Sequence, residues 1–292
     1  MVGLPSFYSP RLTSYNEVLY VSSTQNVNGI FVSELAQDGL QVPLTADMES
    51  KIVNNVEVFN NKVYAVGYTF TQLFSQGKCV YWIDGVPVYI NLPVWSFDIA
   101  VDGSDVYVLG DDYQNSNVNP VIVKNGQILY QLDKALGDFY DLLVVNGDVY
   151  VAGEYNDKGT LWKNGVIIDQ DASTGIKSRY THIAMANGNT FTTGYYWAGV
   201  DDRKVAFWKN SDLLYSFPES EMINVKDLFI TKDRAYFVGE KIDKLNGNPI
   251  YHPACIRIKN IGQNSPLYES VEVPLPADYY QGGLTGVYVK SK

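Results

Sequence analysis

The sequence predicts an all-β fold built from repeated four-stranded sheets, and three observations support this prediction. The chain contains 23 Tyr and 24 Gly among its 292 residues, and Tyr is favoured on pleated surfaces while Gly is favoured at turns. No segment has a sustained apolar period of 3.6 residues, so we expect almost no helix. Two short motifs also recur along the chain at a nearly constant interval.

The first motif is Val-Tyr-x-x-Gly. Its copies VYAVG, VYVLG, VYVAG, TFTTG and AYFVG end at Gly67, Gly110, Gly153, Gly194 and Gly239, at intervals of 43, 43, 41 and 45 residues. A second motif of the Trp-Lys-Asn-Gly type follows each copy and begins at Trp82, Val123, Trp162, Trp208 and Ile258. Units of this length that contain only strands are typical of propeller blades.

One repeat shows the predicted blade most clearly. Its four strands, named a to d in chain order, are predicted at 141–145, 148–155, 160–163 and 166–169. The dipeptides Asn146-Gly147 and Asn164-Gly165 separate strands a and b and strands c and d. Asn-Gly between alternating apolar segments favours a two-residue hairpin turn. The recurrent Gly and Asn are therefore interpreted as turn residues, and Trp82, Trp162 and Trp208 as core residues of strand c.

The ends of the chain predict six blades in a single domain spanning 1–292. Five full blades are predicted at about 52–92, 96–133, 138–170, 180–217 and 225–271. Residues 15–46 supply only strands b, c and d of a sixth blade, and the C-terminal segment 284–290 has the pattern of an a strand. We therefore predict a six-bladed β-propeller of antiparallel blades, closed by pairing of the C-terminal strand in the N-terminal blade, which leaves no open edge.

These Val-Tyr-x-x-Gly and Trp-Lys-Asn-Gly repeats resemble those of poorly characterised bacterial six-bladed β-propeller repeat proteins, many of them exported or surface-anchored. The resemblance covers nearly the whole chain. It implies the propeller fold and an exported, periplasmic or cell-surface location, with a cytoplasmic location left open. It implies no catalytic residues.

Charge and composition narrow the range of partners. The net charge of −10 disfavours nucleic acid, and no apolar run is long enough for a transmembrane segment. Cys79 and Cys255 are predicted to lie in non-adjacent blades, so we expect no disulfide between them.

The b–c loops and the d–a crossovers are long and dissimilar, and in a propeller both emerge on one face. Binding residues concentrate on irregular loops held by a rigid scaffold. The predicted ligand-binding aromatic residues on this face are Trp95, Tyr113, Tyr155, Tyr195, Trp197 and Tyr251. Tyr and Trp among amide and carboxylate side chains suit sugar stacking and also suit a protein interface. The alternative is that these side chains fold back onto their own blades.

A second set of candidates is polar and lies at the start of each strand a. Its members are Asn55, Asp98, Asp141, His182 and Asp227. Asp98, Asp141 and Asp227 are predicted metal ligands, and their oxygen atoms favour Ca²⁺ at the mouth of the central channel. The competing interpretation is structural, because each Asp can accept hydrogen bonds from backbone N–H groups of the crossover beside it.

The sequence contains no catalytic motif. We therefore predict a non-catalytic module that binds a carbohydrate or a protein partner on the loop face. The alternative is a metal-dependent hydrolase of the lactonase or glycosidase type, with its site at the channel mouth.

Overall fold

Short alternating segments separated by tight turns form 24 strands in the computed structural model. The described residues are 7–15, 18–27, 30–48, 50–71, 77–113, 119–132, 137–172, 175–218, 222–245, 248–261 and 267–271. Within these ranges there is no helix, and thus none that is long and apolar enough to cross a membrane.

The strands form six antiparallel sheets of four, each made from consecutive strands. Sheet 1 contains β1 (Phe7–Tyr15), β2 (Val18–Val27), β3 (Ile30–Gln37) and β4 (Leu40–Val42). Sheet 2 contains β5 (Ser50–Phe59), β6 (Lys62–Phe70), β7 (Lys78–Ile83) and β8 (Val86–Ile90). Sheet 3 contains β9 (Val94–Asp102), β10 (Asp105–Asp112), β11 (Asn119–Lys124) and β12 (Gln127–Gln131).

The second half of the chain continues the pattern. Sheet 4 contains β13 (Gly137–Val145), β14 (Asp148–Tyr155), β15 (Lys158–Lys163) and β16 (Val166–Gln170). Sheet 5 contains β17 (Lys177–Ala186), β18 (Asn189–Gly199), β19 (Asp202–Lys209) and β20 (Asp212–Phe217). Sheet 6 contains β21 (Asn224–Ile230), β22 (Arg234–Leu245), β23 (Asn248–Lys259) and β24 (Leu267–Val271). The predicted blades match sheets 2 to 6 to within a few residues.

The described residues fall into two compact units. Unit 1 takes residues from Met1–Ala135 and Val144–Val149, and unit 2 takes residues from Leu136–Leu143 and Tyr150–Val289. The prediction of a single domain stays a prediction.

The two middle strands of each sheet form most of the core. In β6 and β7 nearly every side chain is buried, whereas the outer strand β8 alternates between exposed and half-buried residues. The prediction that the recurrent tryptophans are core residues is confirmed, since Trp82 and Trp208 are 0% exposed and Trp162 is 4% exposed. Trp82 also donates a hydrogen bond from Nε1 to the carbonyl of Thr45 at 2.7 Å. The motif tryptophans therefore stabilise the sheets.

The predicted Asn-Gly turns are confirmed. Asn146 and Gly147 have φ values of 53° and 80°, and Asn164 and Gly165 have 51° and 79°. Two successive residues with positive φ define the type I′ turn, which matches the right-handed twist of the paired strands.

The interpretation of the motif glycine as a turn residue is wrong, because this glycine lies inside the second strand of its sheet. A Cβ added to Gly67 would lie 1.8 Å from the carbonyl oxygen of Ile52, and one added to Gly239 would lie 1.9 Å from that of Asn224. The register of β5 with β6 shifts between Val53 and Asn55 at the same level. Only glycine lets the bulged inner strand approach this closely.

Sheet 1 corrects another expectation, that the first blade takes its inner strand from the C-terminus. β1 (Phe7–Tyr15) occupies the place beside β2, and β3 lies on the other side of β2. β1 was not predicted from the sequence, because Pro10 lacks an N–H donor and the register is irregular between Tyr8 and Arg11. The predicted closing segment, 284–290, lies outside the described residues, so its pairing stays a prediction.

Candidate functional site

In unit 1, two of the predicted ligand-binding residues form an exposed aromatic surface. The indole of Trp95 is 59% exposed and the ring of Tyr113 is 38% exposed, and their ring centroids lie 5.7 Å apart. Tyr68 packs edge-on against Trp95 at 6.4 Å. We call Trp95, Tyr113 and Tyr68 the aromatic surface.

Buried neighbours and hydrogen bonds hold the backbone around the aromatic surface in place. Val94 is 0% exposed and Ser96 is 1% exposed, so the alternation of β9 turns Trp95 outward between two buried residues. The hydroxyl of Tyr68 donates to the carbonyl of Val94 at 3.0 Å, and the N–H of Tyr113 donates to the carbonyl of Pro93 at 2.9 Å. The two exposed rings are therefore held by ordered backbone.

In unit 2, Tyr195 and Trp197 lie close together on β18, with ring centroids 6.5 Å apart. The guanidinium of Arg203 lies over the Tyr195 ring at 4.5 Å, and the ammonium of Lys177 lies over the Trp197 ring at 5.9 Å. The hydroxyl of Tyr195 donates to Asn224. Unlike Trp95, these two rings are half-buried and covered by cations.

Four charged residues beside these rings form an ion-pair cluster, which we define as Glu154, Asp157, Lys177 and Arg179. The side chain of Glu154 is only 9% exposed, and it accepts from Lys177 at 2.7 Å and from Nε of Arg179 at 2.8 Å. Lys177 also contacts the exposed Asp157 at 2.8 Å. A buried carboxylate needs such partners, because burying it alone would be strongly unfavourable.

An aromatic ring completes the support of Arg179. Its guanidinium lies 5.0 Å from the ring centroid of Tyr140, and the hydroxyl of Tyr140 donates to Asp138 at 3.1 Å. Burial raises the pKa of Tyr140, with the charge of Arg179 opposing that rise. The phenol is therefore neutral at physiological pH and offers the face of its ring to the cation.

The remaining two predicted ligand-binding residues do not join either group. Tyr155 is half-buried and packs edge-on against the core residue Trp162 at 6.3 Å. Tyr251 belongs to β23 opposite Ile242, and its side chain lies outside the described part of the structure.

Each of the three predicted metal ligands accepts a hydrogen bond from a backbone N–H group. Asp98 and Asp227 each accept, at 2.8 Å, the N–H of the residue that follows them, Ile99 and Leu228. Asp141 accepts the N–H of Ile183 at 2.6 Å. The donors lie within strands β9, β21 and β17 and not in the crossovers that the structural interpretation expected.

The other two members of the polar set, Asn55 and His182, also form hydrogen bonds with the backbone. Asn55 accepts the N–H of Val56 at 2.8 Å and donates its amide N–H to Asp98. His182 lies 3.1 Å from the carbonyl of Lys226 through Nε2, so that nitrogen carries the proton. No group of three or more His, Cys, Asp or Glu side chains among the described residues could hold a metal ion. The Ca²⁺ site stays a prediction.

Sequence reasoning missed the ion-pair cluster and one further buried acid, Glu57. Neither Arg179 nor Glu154 belongs to a motif that marks it. Their pairing joins β17 to β14 across 25 residues of sequence and depends on packing between sheets. The available signal was weak, namely a Glu directly after the motif glycine Gly153 in an otherwise apolar strand.

Comparison with known proteins supports the fold. No protein-family model matches the chain, and no curated protein matches its sequence. Among solved structures, a mutant of Trypanosoma rangeli sialidase displaying trans-sialidase activity aligns with a TM-score of 0.51 at 10% identity, over 88% of this chain and 54% of that chain.

Two other solved structures align less closely. A thermostable family-43 glycoside hydrolase has a TM-score of 0.40 at 12% identity, over 72% of this chain and 93% of that chain. An exo-1,5-alpha-L-arabinanase from a bovine ruminal metagenomic library has a TM-score of 0.40 at 8% identity, over 89% and 95% of the two chains. The six four-stranded antiparallel sheets, together with the alignment to the sialidase, confirm the predicted fold class, an all-β six-bladed propeller.

Proposed function

We propose that this protein is a carbohydrate-binding propeller whose aromatic surface, centred on Trp95, contacts the sugar. The observation that carries the proposal is the 59% exposure of an indole held beside a second exposed ring. An exposed Trp next to an exposed Tyr leaves apolar area in water, which is unfavourable unless a ligand covers it.

Sugar rings suit this surface. One face of a pyranose carries mainly C–H groups and stacks on an aromatic ring, while its hydroxyl groups stay in water or meet polar side chains. The surface consists of few side chains, whereas a stable protein interface takes about 20–30 residues on each side. The likeness of fold to a sialidase makes carbohydrate the first class of ligand to test.

A truncation of the indole tests the proposal. We expect Trp95→Ala to weaken binding to a soluble polysaccharide by about tenfold or more, because stacking on a large aromatic ring contributes on the order of 1 kcal/mol beyond area burial. Affinity electrophoresis of the native protein in gels containing single polysaccharides from a panel measures this loss as a return to normal mobility.

The matched control is Phe229→Ala, since Phe229 is an exposed aromatic residue of unit 2, 39% exposed. It should migrate like the wild type in every gel. Equal retardation of wild type and Trp95→Ala in the gels that retard the protein, or no retardation in any gel, would contradict the proposal. An exported location belongs to the same proposal, and fractionation of the producing cells tests it.

A further inference from the structure

We propose that unit 2 carries a second binding site, in which Arg179 and Arg203 receive the carboxylate of an acidic sugar such as a uronic acid. The site is separate from the aromatic surface and does not rest on the function proposed for it.

Arg179 is held rigidly, and only part of its hydrogen-bonding capacity is used. Its Nε donates to Glu154 at 2.8 Å, and its guanidinium lies over the ring of Tyr140 at 5.0 Å. Among the residues that the structure describes, no acceptor meets its two Nη groups. The side chain is 30% exposed, so a ligand can reach those donors.

Arg203 offers a second guanidinium with spare donors. Its plane is supported by the ring of Tyr195 at 4.5 Å, and Nη2 donates to the carbonyl of Ile223 at 3.3 Å. Burial raises the pKa of Tyr195, while the charges of Arg203 and Arg179 both oppose that rise. Arg179 lies directly opposite Tyr195 in the pairing of β17 with β18, and Arg203 lies over the same ring, so both guanidinium groups belong to one face of sheet 5.

The carboxylates nearest these side chains are Glu154 and Asp138, which act on Arg179, and Glu240, which acts on Tyr195. Glu154 is one carboxylate shared between two cations, Lys177 and Arg179. Lys177 also forms an ion pair with the exposed Asp157. Since Arg203 contacts a neutral ring and a backbone carbonyl, its charge has no carboxylate partner among the described residues.

The geometry selects the class of ligand. A planar guanidinium with two open N–H groups matches the two oxygens of a carboxylate, and such bidentate pairs are among the strongest hydrogen bonds in proteins. Trp197 is half-buried and lies opposite Arg203 in the pairing of β18 with β19, which places an indole next to the proposed position of the ring that bears the carboxylate. A carboxylate attached to a hydroxylated ring is the chemistry of a uronic acid.

Isothermal titration with D-glucuronate, D-glucose and acetate tests the site. We expect the wild type to bind glucuronate at least about tenfold more tightly than glucose or acetate, because only glucuronate combines the charge with the ring. Arg179→Lys keeps the charge but loses the fork of N–H groups, so its preference for glucuronate over glucose should disappear. Arg203 is exposed at the surface. Arg203→Lys should also reduce the preference for glucuronate over glucose.

Two control variants make the outcomes decisive. Arg234→Lys, in β22 beside Asp233, should bind as the wild type does. Trp95→Ala should keep its glucuronate affinity even if it loses polysaccharide binding, which separates this site from the proposed function. Equal affinity of the wild type for glucuronate and glucose, or an unchanged preference in both folded lysine variants, would overturn the proposal. Equal affinity for acetate and glucuronate would overturn the sugar assignment.

Discussion

Two buried carboxylates, one in each unit, show how differently this fold treats an acidic side chain. Glu154 in unit 2 holds two cations, at 2.7 and 2.8 Å. In unit 1, Oε2 of Glu57 is buried without a hydrogen-bond partner among the described residues. Burial raises the pKa of Glu57 to about 8, the charge of Asp98 adds to the rise, and a backbone hydrogen bond from Val101 opposes it.

The two acids are both buried and differ in their neighbours: burial is the main cause of the raised pKa of Glu57 and a second acid adds to it, whereas Glu154 meets two cations. Glu57 faces another acid, Asp98, which is itself only 3% exposed. Two close carboxylates disfavour double ionisation, so Glu57 retains a proton at neutral pH. Glu154 is surrounded by ammonium and guanidinium groups and can serve as an anchor for cations.

The largest effect expected from this comparison is a pH dependence of stability caused by Glu57. The pKa of Glu57 is about 8 in the folded protein and 4.5 in a free side chain. Between these values the folded state holds a proton that the unfolded state has released, so stability falls as pH rises through this window. Glu57→Gln should remove that fall and gain on the order of 3 kcal/mol over the wild type near pH 9.

Urea unfolding at pH 5, 7 and 9 measures this difference. The control is Glu34→Gln, because Glu34 is exposed on β3 and its removal should leave the pH profile unchanged. A wild-type stability that stays constant or rises between pH 5 and 9 would show that Glu57 is ionised in the folded protein.

A smaller effect is expected from Glu154→Gln. The amide keeps the shape of the side chain but gives Lys177 and Arg179 no charged acceptor, which should cost about 1–3 kcal/mol in the free energy of unfolding. The matched control Asp157→Asn removes a carboxylate that is 67% exposed and should cost less than about 0.5 kcal/mol. Urea unfolding at pH 7 compares them, and equal costs would mean that burial adds nothing to the Glu154 contacts.

The smallest effect concerns an exposed ion pair of unit 1, Lys78 with Asp47 at 2.8 Å. Hydrogen bonds from Lys78 and then Tyr89 lower the pKa of Asp47. The stability linked to this shift is present near neutral pH and is lost as pH falls through the lowered pKa. Lys78→Met should return the pKa of Asp47 towards its ordinary value, as followed by NMR, with little change in unfolding at pH 7. A lowered pKa that persists in the variant would assign the shift to Tyr89 alone.

The fold was largely predictable because its signals are local. Alternating apolar residues and Asn-Gly turns such as Asn146-Gly147 act over a few residues, so they can be read directly from sequence. The inner strand of sheet 1 was not predicted because Pro10 and two serines, Ser9 and Ser14, weaken the alternation. The motif glycines were misread because their reason is a contact with another strand, as between Gly67 and Ile52.

The candidate sites were predictable only in part. The sequence analysis places Trp95 on the loop face, and its indole is exposed. The pairing of Arg179 with Glu154, the support from Tyr140 and the proximity of Glu57 to Asp98 all join side chains of different sheets. Such contacts cannot be inferred from a single sequence, because each of these residues taken alone is typical of an ordinary strand or loop position.

The consecutive order of strands within every described sheet has a consequence for how the chain folds. In sheet 1, residues 7–42 contribute all four strands without help from distant sequence. Forming a sheet therefore requires closing only short loops, which keeps its entropic cost low and the average separation of paired residues small. The strands of each sheet can thus pair once their own stretch has left the ribosome, whereas side chains that pack between sheets, such as Phe207 on Phe237, are buried only when the next sheet is present.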